Sequence, residues 1–261
     1  MATPKNQSIV KAFALLRSFH SPNECLTSAE LSRRAQLPEA SGYRLIQTLE
    51  GIGAVVRGSK GRYRPGMLLV SLSHNVAVSE LLPQASQAIL LDLAARLSLT
   101  VHMGVLENNM VTYIAKVGEC TRLSVQTKVG AQLEAYCSGL GKVLLASLPD
   151  RDVDSFLEGG DLVPLTSHTI TDRMAFRQEI SRIRHCGYAV DDGEVSEDLR
   201  CIAVPVCDVS GHTVAAISVS DVAVRLDERR HEEMRLALLS AAAAISQKVY
   251  PQGQHGFACI G

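Results

Sequence analysis

The chain has 261 residues, enough for one large domain or two of ordinary size. Hydrophobic residues make up 46% and charged residues 20%, with aromatics at 4% and no Trp, which excludes the disordered and low-complexity classes. The net charge of −1 conceals a partition: residues 1–64 carry ten Lys/Arg against four acids, and the other 197 carry sixteen against twenty-three, a +6 head on a −7 body. A basic head points to a polyanionic partner. The longest apolar-leaning stretch, 236–245, is far shorter than the roughly 20 residues of a bilayer span, and the first residues lead into an amphipathic segment rather than a signal peptide. Neither a membrane nor an exported protein is expected. The seven cysteines are odd in number and form no CxxC pair, so a reducing cytoplasm is predicted, without a disulfide framework or structural zinc.

Ile9, Phe13, Leu16 and Phe19 recur on one face of a helix predicted over 8–19. Thr27, with Glu30 three positions later, forms a capping box that opens a second helix over 28–35. Gln36-Leu37-Pro38 turns the chain into a third helix reaching about residue 49, with Leu45, Ile46 and Leu49 buried and Gly51 and Gly53 ending it. Residues 54–57 and 62–64 flank a Gly-Ser-Lys-Gly turn and read as a hairpin with basic edges. The pattern is then helical from 67 to about 97 with a break at Pro83, giving a connecting helix over 67–82 and a helix that opens the body. In the body, strands are predicted over 101–106, 111–117, 123–127, 188–190, 202–207 and 214–219, and helices over 139–148, 150–157, 172–186 and 227–249. Strand pairs separated by helices define an α+β domain with a mostly antiparallel sheet. The predicted organisation is a head over 5–66, a linker helix over 67–82, a second domain over 83–250 and a tail over 251–261.

Helix, capping box, short helix, tight turn, helix and basic hairpin, in that order, is the plan of a winged helix-turn-helix, whose third helix enters the major groove of double-stranded DNA. The residues exposed on its first half are Glu39, Ala40, Ser41, Tyr43, Arg44 and Gln47; Arg44 and Gln47 are types that reach base edges, and Ser41 and Tyr43 types that donate to phosphate. Lys60, Arg62 and Arg64 on the hairpin suit phosphate or the minor groove. The candidate set also takes in Thr27, Ser28, Arg33 and Arg34 on the second helix, which crosses the backbone, and Pro38 at the turn. Catalytic patterns fail in turn. Ser138-Gly-Leu-Gly-Lys142 lacks the earlier Gly and the Ser/Thr of a phosphate loop, and there is no G-x-S-x-G, G-x-G-x-x-G or metal-ligand spacing. His102, His168 and His212 are isolated, each read as a surface or core histidine. No catalytic residue, metal or cofactor is predicted. The competing reading is a small-molecule sensor or enzyme domain whose head makes only protein contacts; the charge partition and the basic hairpin speak against it.

The sequence resembles the IclR family of bacterial transcription regulators, named for the isocitrate lyase regulator, from about residue 8 to residue 246. The head carries Leu26-Thr-Ser-Ala-Glu-Leu-Ser-Arg-Arg-Ala-Gln-Leu-Pro38, Tyr43-Arg-Leu-Ile-Gln-Thr-Leu49 and Gly61-Arg-Tyr-Arg-Pro-Gly66. The body carries Gly139-Leu-Gly-Lys-Val-Leu-Leu-Ala146, Thr169-Ile-Thr171, Arg184-His-Cys-Gly-Tyr188, Arg200-Cys-Ile-Ala-Val-Pro205 and Ala216-Ile-Ser-Val-Ser220. The resemblance implies a winged-helix head, a dimerising linker helix and a GAF/PAS-like domain with a six-stranded antiparallel sheet. It also implies a small organic acid effector that changes operator affinity, probed at Val125, Gly139, Leu140, Asp191, Leu199, Cys201, Ser218 and Ser220.

Gly139 and Leu140 precede a helix whose free N–H groups favour a carboxylate, and Ser218 and Ser220 share one face of a strand. The expected effector is a compact carboxylate whose hydroxyl or hydrated carbonyl faces Asp191; the competing reading has Ser218 and Ser220 satisfying buried backbone groups. One head reads only a few base pairs, so a dimer through 67–82 is expected, with pairing of the acidic bodies into a tetramer as a further option. Gly42, Ala40 and Asp198 depart from the family pattern, and Gly42 inside a helix should cost about 1 kcal/mol.

Overall fold

The computed structural model describes residues 6–21, 24–74, 77–118, 127–222 and 228–250. The chain divides between Ala77 and Val78 into two units. Val125, most of the strand predicted over 123–127, and the 251–261 tail lie outside the described residues.

The first unit contains α1 (Gln7–Leu16), α2 (Ser28–Arg34), α3 (Glu39–Gly51), β1 (Val55–Arg57), β2 (Tyr63–Pro65) and α4 (Met67–Ser73). The capping box is formed: Thr27 Oγ1 accepts the Glu30 N–H at 3.2 Å and the Glu30 carboxylate accepts the Thr27 N–H at 2.8 Å. β1 and β2 pair antiparallel, and Leu26 joins them through reciprocal backbone bonds with Tyr63, which ties the start of α2 to the hairpin. Leu15, Leu31, Ile46, Leu49, Val55 and Tyr63 form the buried core. On α1 the expected stripe is only half used. Leu15 is buried with Ala12, Leu16 and Phe19 packed beside the core, while Ile9 and Phe13 are each 57% exposed, because α2 and α3 meet only the other side of the helix. A Cβ on Gly42 would stand 2.0 Å from Ser32 Oγ, so the glycine that weakens α3 also permits its close crossing with α2.

The second unit contains α5 (Val78–Leu97), β3 (Thr100–Glu107), β4 (Met110–Val117), β5 (Gln132–Glu134), α6 (Gly139–Ala146), α7 (Asp150–Glu158), α8 (Arg173–Cys186), β6 (Ala189–Asp192), β7 (Leu199–Cys207), β8 (Thr213–Val222) and α9 (Glu228–Val249). The strands form one antiparallel sheet in the order β5-β4-β3-β8-β7-β6. It is an α+β fold, as expected, but its edge strand β5 was not foreseen. The break expected at Pro83 falls elsewhere: α4 ends at Ser73, and α5 begins at Val78 and runs through Pro83. A proline in the second turn removes one hydrogen bond without stopping a helix that buries Leu82, Leu90, Leu93 and Leu97 on the sheet. Residues 67–82 are therefore not a single helix.

Helices α5 and α9 cover one face of the sheet and α6, α7 and α8 the other. The β3–β4 turn is made by Asn108 and Asn109, both with positive φ (51° and 66°), as a two-residue hairpin turn requires. Further along, Met103 pairs with Ala115 while Gly104 pairs with Tyr113, so Ile114 is an extra residue in a β-bulge. The bulge breaks alternation: Ile114 and Ala115 both enter the α5–α9 core. No helix of the described residues is long and apolar enough to cross a membrane.

Candidate functional site

Strand alternation builds a cavity. In β8, Ile217 and Val219 pack with α5 and α9, which turns Ser218 and Ser220 toward α6; in β7, Ile202 and Val204 do the same and turn Cys201 and Ala203 the other way. Pairing aligns these residues in rows: Asp191, Cys201 and Ser220 across β6, β7 and β8, and Ala203, Ser218 and His102 across β7, β8 and β3. Ala203 apart, these residues and the first turn of α6 wall a cavity of about 440 Å³, open mouth included, whose lining adds Tyr113, Thr127, Leu133, Ser138, Gly139, Leu140, Val195 and Leu199. Gly139, Leu140, Asp191, Leu199, Cys201, Ser218 and Ser220, expected at an effector pocket, thus share one wall.

Helix α6 starts where it does because Ser138 caps it, accepting the Gly141 N–H at 3.1 Å and donating to the Glu134 carbonyl at 3.0 Å. The N–H groups of Gly139 and Leu140, in its first turn, have no intrahelical acceptor and carry the positive end of the helix dipole. A Cβ on Gly141 would stand 2.2 Å from the Ala135 carbonyl oxygen, so only glycine lets α6 lie this close to the chain before it. Lys142, the residue that resembles a phosphate-loop lysine, is buried and ion-paired with Glu194 and, at 3.5 Å, with Glu179. It does not line the cavity.

Among the described residues no Lys or Arg lines the cavity. Burial pushes the Asp191 carboxyl up to about 7, although its Oδ1 accepts the Glu194 N–H at 2.7 Å and the Val195 N–H at 3.4 Å. Burial also pushes the Cys201 thiol up, which leaves it a poor nucleophile; its Sγ lies 2.9 Å from Ser220 Oγ. Neither Ser218 nor Ser220 bonds a backbone group through its hydroxyl among the described residues, so satisfying buried backbone is not what these side chains do. His102 belongs to the wall rather than to the surface or a closed core. Burial, then the Lys116 charge, lowers its pKa to about 4, so the ring is neutral at pH 7. His102 and Tyr113 were missed because their places depend on the pairing of β3 with β4 and β8, which no local pattern encodes.

In the head, Glu39, Ala40, Ser41, Tyr43, Arg44 and Gln47 are exposed on α3, with Pro38 exposed at its N-cap and Lys60, Arg62 and Arg64 exposed on the hairpin. Several have duties inside the fold. Thr27 caps α2, with Ser28 half-buried behind it, and Arg34 donates to the Ser18 carbonyl at 2.9 Å and pairs with Glu24 at 2.8 Å. Arg62 donates to the Cys25 carbonyl at 2.8 Å, and Gln47 donates to Glu50 and to the Tyr63 hydroxyl at 3.2 Å. Arg33, Arg44, Lys60 and Arg64 have no ion pair among the described residues, and so keep their charge free on the surface. Among the described residues no group of His, Cys, Asp and Glu is arranged to hold a metal ion.

A three-helix head with a basic hairpin, followed by a sheet domain with a polar recess, is the plan of a DNA-binding transcription regulator. The family model described as bacterial transcriptional regulator IclR C-terminal matches residues 74–247, and the IclR helix-turn-helix domain matches residues 8–59. The chain belongs to the IclR family. It is 30% identical over 250 residues to the HTH-type transcriptional regulator XynR of Escherichia coli strain K12, covering 95% of this chain and 99% of that one. The crystal structure of Thermotoga maritima IclR is 28% identical with a TM-score of 0.62, covering 93% of this chain and 98% of that one. An IclR homolog from Microbacterium hydrocarbonoxydans, complexed with 4-hydroxybenzoate, shares the fold at 24% identity and a TM-score of 0.61, covering 93% and 98%.

Proposed function

We propose that this regulator binds operator DNA through α3 and the basic hairpin, and that a small carboxylate in the α6 cavity changes its affinity for the operator of a catabolic operon. The observation that carries the effector part is the wall itself: Gly139 and Leu140, whose N–H groups have no intrahelical acceptor, line the same cavity as Ser218 and Ser220, with no cation lining it among the described residues. Such donors hold a compact anion at about 1.5–3 kcal/mol per charge-assisted hydrogen bond. That the Microbacterium hydrocarbonoxydans homolog is complexed with 4-hydroxybenzoate agrees with an acid of this kind.

On the DNA side, Arg33, Arg44, Lys60 and Arg64 make the contacts, with Arg44 reading a base edge, while Thr27, Arg34 and Arg62 hold the frame. The working form is a dimer in the cytoplasm, joined through the apolar side chains left exposed on α1 and α4, among them Phe13 (57%), Met67 (70%) and Leu72 (56%).

The test is a gel-shift titration on promoter DNA across salt concentrations, with and without a panel of carboxylic acids. A steep negative salt slope, a midpoint moved by at least one acid, and a loss of about 1–3 kcal/mol with relaxed specificity in Arg44→Ala are expected. Binding that ignores salt, or an Arg44→Ala variant that binds every DNA as well as the parent, defeats the DNA assignment. Light scattering that reports a monomer with and without DNA defeats the dimer.

A further inference from the structure

The cavity has a second polar group in its lining, different in character from the start of α6. His102 Nε2 and Thr127 Oγ1 lie 2.6 Å apart in a hydrogen bond, and the Lys116 ammonium donates to the Thr127 carbonyl at 2.9 Å. The imidazole stands directly across the sheet from Lys116 on one side and Ser218 on the other, and its ring centre is 5.1 Å from that of Tyr113. Among the described residues these are the groups that face it, and Lys116 is the one charge among them. The ring is therefore held in place before any ligand arrives. Among the described residues its second nitrogen, Nδ1, has no partner, and neither do the Tyr113 and Ser218 hydroxyls. A neutral imidazole offers one donor and one acceptor. In a desolvated wall, such a group matches a hydroxyl or carbonyl oxygen, whereas the helix start matches a carboxylate.

We propose that His102, with Tyr113 beside it, reads a hydroxyl or carbonyl oxygen at the end of the effector remote from its carboxylate, and so sets which acid the cavity accepts. The inference rests on the effector reading above and deepens it. It also moves a role: the sequence gives the ligand's hydroxyl to Asp191, but Asp191 Oδ1 already accepts two backbone N–H groups of its own turn. Pinning by Thr127 keeps the ring from turning away, so the selection is made by a preorganised group.

The experiment is calorimetric titration of the full chain with matched acids, 4-hydroxybenzoate against benzoate and 4-hydroxybutyrate against butyrate, on the parent, His102→Leu and His102→Asn. The parent should bind the hydroxylated member of at least one pair about tenfold more tightly, and His102→Leu should bring that pair within about twofold while keeping the affinity for the plain acid. His102→Asn, which keeps a donor and an acceptor, should retain part of the preference. Equal affinities in the parent, an intact preference in His102→Leu, or the same loss for both members overturn the inference and leave the effector reading standing. If neither member of either pair binds the parent, the effector reading falls, and this one with it. Thermal melts verify folding; should His102→Leu not fold, His102→Asn and Tyr113→Phe decide by the same ratio, an unreduced preference in both overturning the proposal.

Discussion

The two faces of the six-stranded sheet are made by the same strands and follow opposite rules. Toward α5 and α9, β7 and β8 present Ile202, Val204, Ile217 and Val219, all fully buried, and the space is filled. Toward α6 the alternate positions are Cys201, Ala203, Ala216, Ser218 and Ser220, which are small, and a recess remains. The difference teaches where stability and specificity reside. The first face holds the domain together through apolar burial; the second leaves the Ser218 hydroxyl without a partner among the described residues, which suits a ligand that completes the bond.

That contrast can be broken on either side. Ile217→Ala opens a cavity in the filled face and should lower stability by about 2–5 kcal/mol, read from denaturant midpoints. Gly141→Ala drives a Cβ against the Ala135 backbone and should lose about 1–3 kcal/mol, with weakened effector binding because the start of α6 shifts. Asp191→Asn tests the cost of charge in the recess. A carboxyl raised from the ordinary 3.8 to about 7 favours the fold fully below pH 4 and loses that contribution as pH rises through 7. The substitution should therefore add about 1–2 kcal/mol at pH 8 and little at pH 4, since the amide oxygen still accepts the Glu194 N–H. Melting curves at the two pH values check the sign, and equal shifts would show that the fold does not raise the Asp191 pKa above its unfolded value. Smallest of all, Ser218→Ala should leave stability within about 0.5 kcal/mol, in contrast to its neighbour Ile217.

Much of the architecture was legible in local chemistry. Thr27 and Glu30 announce α2, the helical pattern over 172–186 matches α8, and Asn108-Asn109 turns the β3–β4 hairpin. What escaped depends on partners remote in sequence. Ile9 and Phe13 have the right spacing for a core, but nothing among the described residues buries them. Pro83 breaks helices by local rules, and the packing of α5 overrides them. β5 is three residues long and takes its identity from β4 alone. The recess was legible as far as the family motifs reach, from Gly139 to Ser220. His102 and Tyr113 sit outside those motifs and become wall residues only when β3 lies between β4 and β8.

The bulge at Ile114 bears on how the chain tolerates changes in length. Elsewhere in a strand, losing one residue turns every later side chain to the opposite face. Here the ladder already pairs Tyr113 with Gly104 and Ala115 with Met103, so Ile114 can be deleted with both pairs kept and Lys116 still opposite His102. The deletion would cost the packing of one buried isoleucine and nothing in register. A gap at this position, in the middle of β4, is one that this sheet can absorb without rewriting either of its faces.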